Sequence, residues 1–181
     1  YNFHCLSSLT VDYEMKYFDA SHFNIPSLRY LNLQNNSIQQ FLNLTHKFLP
    51  NLQTLDLSKN SIYRIHELID LPQLKKLDLS YNKLTRLTNI HKLKSLEELV
   101  LVENQIGKIE NLDNLKNLKV LQLFFNLIKT IENLSHLQNL NQLNLGCNKI
   151  KDIGNDISKL RNLRELYLND NKISFIENLD K

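Results

Sequence analysis

The stretch Leu28-Arg29-Tyr30-Leu31-Asn32-Leu33-Gln34-Asn35-Asn36-Ser37-Ile38 decides the fold. It reads L-x-x-L-x-L-x-x-N-x-I, and the same pattern, ending in Ile or Leu, restarts at Leu52, Leu74, Leu96, Leu118, Leu140 and Leu163. The starts lie 24, 22, 22, 22, 22 and 23 residues apart. A bias toward Leu and Asn alone would not hold that register, so the chain is a stack of like units. A degraded copy precedes them. Leu6, Leu9 and Val11 fill the apolar slots one period before Leu28, Glu14 stands where the Asn belongs, and Met15 to Asn24 fit the second half badly. Residues 1–27 therefore read as a degenerate N-terminal repeat or cap, and 28–181 as seven repeats with the last incomplete. A stack needs its terminal apolar layer covered, so the chain is expected to continue past Lys181 or to have that edge covered by a partner.

Each unit should open with a short strand whose side chains alternate in and out. Successive strands pair in parallel at about 4.8 Å, so eight of them form a strip roughly 34 Å across. In the second halves the apolar slots fall three apart, as in Leu87, Ile90 and Leu93, in Ile109, Leu112 and Leu115, or in Ile131, Leu134 and Leu137. That spacing predicts tight, 3₁₀-like turns. The unit from Leu140 carries one extra residue near Gly154-Asn155. The bulkier return halves pack behind the strip and curve it. Residues outward on the return halves, among them Lys108, Glu110, Asn111, Asp113, Lys129, Glu132, Asn133 and His136, read as a solvated convex face.

This pattern resembles the leucine-rich repeat family, in its short 22-residue class. That class is represented by a regulatory subunit of protein phosphatase 1 and by axonemal dynein light chains. The motifs Glu110-Asn111-Leu112 and Glu132-Asn133-Leu134, each preceded by Ile, are similar to it in detail. Bacterial internalins share the repeat length, but their usual return-half proline is missing from these units. The resemblance implies an α/β solenoid, an arc with a concave parallel β-sheet and short 3₁₀ or helical turns on the convex side. It also implies a non-catalytic scaffold in an axonemal or cytoskeletal assembly, or else regulation of a serine/threonine phosphatase. Phosphatase regulators use aromatic and acidic residues on the concave face, and Phe125 with Glu103 would occupy comparable slots.

The invariant slot of the pattern holds Asn36, Asn60, Asn82, Asn104, Asn126, Asn148 and Asn171. As each strand turns, backbone groups are left without partners, and an amide offers both donors and acceptors to satisfy them. This ladder is structural. The outward slots of a unit are its second, third, fifth, seventh and eighth residues. They are polar in the first units apart from Tyr30 and Tyr81. The character then changes. Val100 and Val102 from one unit meet Val120, Phe124 and Phe125 from the next, with Tyr81 and Cys147 flanking them and Leu127 adding an apolar residue. The inward leucines already fill the core, so these residues are surplus to it. A contiguous apolar patch of this kind marks an interaction site. The expected partner-binding set is Tyr81, Val100, Val102, Glu103, Lys119, Val120, Gln122, Phe124, Phe125, Cys147 and Tyr167, with Gly146 leaving room beside the rings. Lys75, Lys76, Glu97 and Glu98 complete a charged rim that would set the partner's orientation.

Chemistry of other kinds finds no support. The three glycines, Gly107, Gly146 and Gly154, cannot build a phosphate-cradling loop. His4, His22, His46, His66, His91 and His136 show no metal-ligand spacing. No enzyme, cofactor or metal site is expected. A net charge of +3 is too small to predict nucleic-acid or membrane binding, and no apolar run is long enough to span a bilayer. Cys5 and Cys147 stand far apart and read as free thiols, which favours a reducing, cytoplasmic setting, a cilium or axoneme or other cytoskeleton included. The absence of cysteine-rich caps argues against an extracellular receptor. Sequons at Asn35, Asn43 and Asn133 carry little weight in so Asn-rich a chain.

Overall fold

The computed structural model describes residues 5–23, 25–65, 68 and 70–175. Asn24, His4, His66 and everything from residue 176 onward lie outside it. Among the described residues, ten strands of three residues each run in chain order: β1 (Ser8–Thr10), β2 (Tyr17–Asp19), β3 (Tyr30–Asn32), β4 (Gln40–Leu42), β5 (Thr54–Asp56), β6 (Lys76–Asp78), β7 (Glu98–Val100), β8 (Val120–Gln122), β9 (Gln142–Asn144) and β10 (Glu165–Tyr167). Eight of them form one sheet in the order β1-β3-β5-β6-β7-β8-β9-β10. Every pairing is parallel and sets one unit's residue against its equivalent in the next, as in Leu77↔Leu99, Leu99↔Leu121 and Leu121↔Leu143. β1 joins through Leu9↔Leu31, so the degraded copy supplies a full strand.

Only the middle residue of each central strand points inward, and it is buried, whereas its neighbours are half-exposed. Leucines and isoleucines at the pattern's apolar slots stack into columns, most with no exposed surface. Burying each is worth about 1.5–3 kcal/mol, and this drives the stack together. The backbone ladder outlasts the strands. The N–H of Glu103 donates to Phe124 C=O, that of Phe125 to Gly146 C=O, and that of Cys147 to Asn169 C=O, all near 3 Å.

The Asn ladder forms as expected. Asn126 Oδ1 accepts the Ile106 N–H at 3.0 Å, while its Nδ2 donates to Leu101 C=O at 2.9 Å and to Leu123 C=O at 3.2 Å. One amide thus closes its own turn and grips the coil before it. Asn60, Asn82, Asn104 and Asn148 repeat this, all buried. Asn36 reaches back to Val11, and its Oδ1 takes the Tyr13 N–H of the degraded copy, as each Asn does for the coil before it.

The return halves turn tightly. Runs of 3₁₀ helix occur at Ala20–His22, Ile90–Lys92 and Ile157–Lys159. Elsewhere single turns with the same bond suffice, as from Leu115 N–H to Leu112 C=O and from Leu137 N–H to Leu134 C=O. The extra residue of the Leu140 unit is absorbed between Ile153 and Ile157, where Gly154 has φ +66 and a Cβ would stand 3.1 Å from Ile131 O. The misfitting stretch after Met15 has an order of its own. β2 pairs with β4 in a small second sheet, burying Phe18 and Phe41 between larger coils.

One reading of the convex face is corrected. Asn111 and Asn133 are not merely solvated. Both sit at φ 60, a conformation Asn tolerates better than other side chains. Their amides donate to the previous coil, Asn111 to Leu87 C=O at 2.6 Å and Asn133 to Ile109 C=O at 2.8 Å. A third column occupies the slot before each unit's first Leu, where Asn51, Asn117, Asn139 and Asn162 each donate to a carbonyl one coil back, with Ser27 and Ser95 doing the same through hydroxyls. His136 also departs from the expected surface, its side chain being only 27% exposed near Asp113.

Asn126→Ala should cost about 2–4 kcal/mol, because it strands the Ile106 N–H and Leu101 C=O in the core. The Tm should drop on the order of 10 °C in a thermal melt. Asn133→Ala, whose partner lies nearer solvent, should cost only about 1 kcal/mol in the same assay.

Candidate partner-binding face

The outward side chains of β6 to β10 and of the turns that follow them form the concave face. Val100 leaves β7 and Val120 leaves β8, where Val120 pairs with Glu98 and Gln122 pairs with Val100. The valines are half-buried, and so is Val102 in the turn beyond β7. The register thus places the two valines diagonally, on neighbouring coils, with Gln122 and Glu98 directly opposite them.

The seventh slot departs from expectation. The strands end at the fifth residue, so the seventh already turns back toward the stack. Ser58, Ser80 and Gly146 are buried there rather than outward. Phe124 occupies the same slot and is half-buried, so it is partly structural rather than wholly surplus. Its ring lies over Gly146. A Cβ at Gly146 would come within 3.1 Å of Phe124 Cδ2 and 2.7 Å of Asn169 Oδ1. The missing side chain leaves room for both the ring and the Asn169 amide.

The eighth slot is the exposed one. Phe125 is 55% exposed, Tyr81 46%, and Tyr167, on β10, 43%. The Phe124 and Phe125 rings sit 6.2 Å apart at 43°, a tilted pair with one ring anchored and one free. Every eighth residue has positive φ: Asn35 60, Lys59 52, Tyr81 55, Glu103 51, Phe125 56, Cys147 52 and Asp170 54. That region suits Gly, Asn and Asp, and a bulky aromatic in it is strained. The turn imposes the conformation on whatever residue the chain supplies, so Phe125 and Tyr81 are held there at a local cost.

The charged rim is mostly internally paired. Glu97 lies 2.6 Å from Lys119 and 3.4 Å from Lys75. The Lys119 hydrogen bond holds its carboxyl below the usual range. Lys76 meets Glu98 at 2.7 Å, which raises the lysine's pKa. These exposed pairs each contribute about 0–1 kcal/mol. Among the described residues no cation pairs with Glu103 within 4 Å.

The Cys147 thiol faces Asp170 Oδ2 at 3.6 Å, and desolvation together with that carboxylate pushes its pKa up, which disfavours a nucleophilic thiolate. Tyr167 O–H donates to Glu165 Oε2 at 2.9 Å, a bond that raises the phenol's pKa. Asp78 stands opposite Asp56 in the sheet, and burial, with a further push from Asp56, raises its pKa even though the Ser80 N–H donates to it at 2.9 Å. No group of three His, Cys, Asp or Glu able to hold a metal ion occurs among the described residues. No helix among them is long and apolar enough to cross a membrane.

Models described as leucine rich repeat and leucine rich repeats (2 copies) match residues 26–84, 50–106, 94–136, 116–159 and 138–181, which together run from 26 to the last residue. No curated protein matches the chain. Among solved structures, an internalin, InlF, from Listeria monocytogenes is 26% identical over 87% of this chain and 52% of its own, with a TM-score of 0.61. Internalin C2 from the same organism is 31% identical over 75% of this chain and 69% of its own, with a TM-score of 0.57. TLR13, in a complex with ssRNA13, is 28% identical over 79% of this chain and 22% of its own, with a TM-score of 0.70. The chain thus spans about half the InlF length and about a fifth of that of TLR13.

Two substitutions separate strain from surface. Phe125→Asn keeps the turn and should raise stability by about 1 kcal/mol, since Asn tolerates positive φ better than Phe. Urea unfolding checks this. Asp78→Asn preserves the acceptor for the Ser80 N–H, as Asn32 and Asn144 do in the same slot of their own coils. The folded pKa of Asp78 lies above its unfolded one, so its contribution is intact at low pH and is lost as pH rises through the folded value. The variant should therefore be the more stable protein at pH 7, and its advantage should vanish below about pH 4.

Proposed function

The chain belongs to the leucine-rich repeat family, and on that premise we propose that it is a non-catalytic scaffold that binds a protein partner on its concave face, in an axonemal or other cytoskeletal assembly. The family's fold is in general an interaction fold. The observation that carries the proposal is the exposed ring of Phe125 beside the half-buried Val100, Val102, Val120 and Phe124, an apolar surface that lies outside the leucine core. Burying one aromatic ring removes about 150–250 Å² from water. That is worth up to roughly 4–6 kcal/mol before ordering costs, enough for one residue to dominate affinity. Phe125 bears the larger share of this role, because Phe124 is already half-covered by its own stack.

The cytoplasmic setting is supported by the two free cysteines, Cys5 exposed and Cys147 half-exposed. Residues 1–27 serve in this reading as the atypical terminal coil. A second reading, regulation of a serine/threonine phosphatase, draws on the placement of Glu103 and Phe125 in the same slot of successive coils, where the Glu103 N–H donates to the carbonyl of Phe124.

Crosslinking capture from the native source, with wild type beside Phe124→Asp/Phe125→Asp, tests the reading. The double variant should melt as a folded protein and lose its main partner, with affinity down at least about a hundredfold. A folded double variant that retains every partner sinks the concave-anchor reading. Recovery of a phosphatase catalytic subunit instead of cytoskeletal proteins selects the second reading over the first.

A further inference from the structure

The concave face differs in charge from the rest of the molecule. From the Leu28 unit to the Leu163 unit, the third, fifth, seventh and eighth slots hold six carboxylates, Asp56, Asp78, Glu98, Glu103, Glu165 and Asp170, and two cations, Lys59 and Lys76, while the second slots, at the entry edge, add Arg29, Lys75, Lys119 and Arg164 against Glu97. The whole chain carries +3. The balancing cations stand elsewhere, many on the flank after the Asn ladder, at Arg64, Lys83, Lys129, Lys149, Lys151 and Lys172. The acid character therefore belongs to the part of the face beyond the entry edge, around Phe125, and is set against the chain's overall sign.

Most of that charge is not neutralised within the face. Glu98 is met by Lys76, and Lys59 lies over the Tyr81 ring at 6.0 Å. Glu165 is hydrogen-bonded by Tyr167 and Gln142, which bring no charge. Asp170 accepts from the Asn169 amide and lies beside the Cys147 thiol, again without a cation. The basic groups stand at the entry edge, where Lys75, Glu97 and Lys119 are engaged with each other and Arg29 and Arg164 lie toward the two ends of the stack.

Position sharpens the point. Glu103, Phe125, Cys147 and Asp170 fill the same left-handed slot of four successive coils. At the coil repeat of about 4.8 Å, one carboxylate stands one step from the exposed ring and the other two steps away on its far side. A guanidinium or ammonium within about 6 Å of a ring face is attracted to it, and here the same cation reaches a carboxylate as well. An acidic segment or a phosphate backbone seated over Phe125 would meet Glu103 and Asp170, neither of which is ion-paired among the described residues. A second copy presenting the same face would do so too.

Resting on the reading of this face as a docking site, we propose that its occupant is a basic segment of a partner protein, one that seats a large apolar side chain on Val100, Val120 and Phe124 and sets an arginine or lysine over Phe125 between Glu103 and Asp170. The apolar contact supplies most of the affinity, and the two carboxylates choose the sign of the partner and speed its arrival.

A random peptide library displayed on phage, panned on the full chain, tests this. Enriched peptides should pair a large apolar residue with nearby Arg or Lys, and representative synthetic peptides should bind more weakly as salt rises. Glu103→Gln/Asp170→Asn should weaken them by about two- to fivefold per carboxylate, and panning on that variant should lose the basic preference while keeping the apolar one. Enriched peptides that are neutral or acidic yet still depend on Phe124 and Phe125 overturn the basic occupant and leave the docking reading standing. Peptides indifferent to Phe124→Asp/Phe125→Asp, or no enrichment above bare matrix, overturn both. Concentration-dependent dimerisation that Phe125→Asp abolishes, measured by light scattering, overturns the basic segment in favour of a second copy.

Discussion

Everything in this molecule hangs on the buried amide that closes each turn. A chain that folds back every 22 residues must leave N–H and C=O groups unpaired inside the bend. Asn104, Asn126 and their equivalents take an N–H on the oxygen and give the nitrogen to carbonyls of two coils at once. Leucine columns supply the driving force, but they would accept many offsets between neighbours. The amide does not, because its partners lie at fixed distances on both sides. It converts hydrophobic stacking into a single register, and the register then decides which residues reach the concave surface. The exposed Phe125 follows from the placing of Asn126.

The inward half of this logic was legible in the sequence, because it repeats. Leu31, Leu55, Leu77, Leu99 and Leu121 announce themselves by period, and so does the Asn slot. The columns of Asn111 and Asn133 and of Asn117 and Asn139 recur as regularly. Asn111 and Asn133 read as solvated surface because a polar residue on a return half looks the same whether its amide is in water or gripping a carbonyl. Only the positive φ and the short distance to the previous coil distinguish them. The β2–β4 sheet was hidden for the opposite reason, since the return halves of its two coils, 17–19 and 40–42, share no pattern with the later ones.

On the candidate face the sequence located the patch but not its depth. A strand rule applied beyond the fifth residue treats Val102, Phe124 and Phe125 alike, whereas the backbone has already begun to turn. Phe124 leans onto Gly146 while Phe125 is thrown outward in a left-handed conformation. The pairing of Lys76 with Glu98, and of Lys119 and Lys75 with Glu97, required knowing that third faces third and second faces second across the sheet. Once the strands are in register these pairs follow, and the unpaired Glu103 is left standing out.

The single added residue at Gly154-Asn155 has a wider meaning. It is swallowed by a return turn, and neither β9 nor β10 moves out of pairing. The two sides of the stack thus tolerate change differently. One edge is a ruled line, and the other is a hem with slack. Since each coil contacts only its neighbours, a whole unit can be duplicated or dropped at the Asn boundary, and the flanking coils still meet compatible surfaces. Gene-level gain and loss of repeats therefore changes the length of the face and the spacing between its anchors without requiring a new core. In such a lineage, binding specificity drifts by counting as well as by substitution.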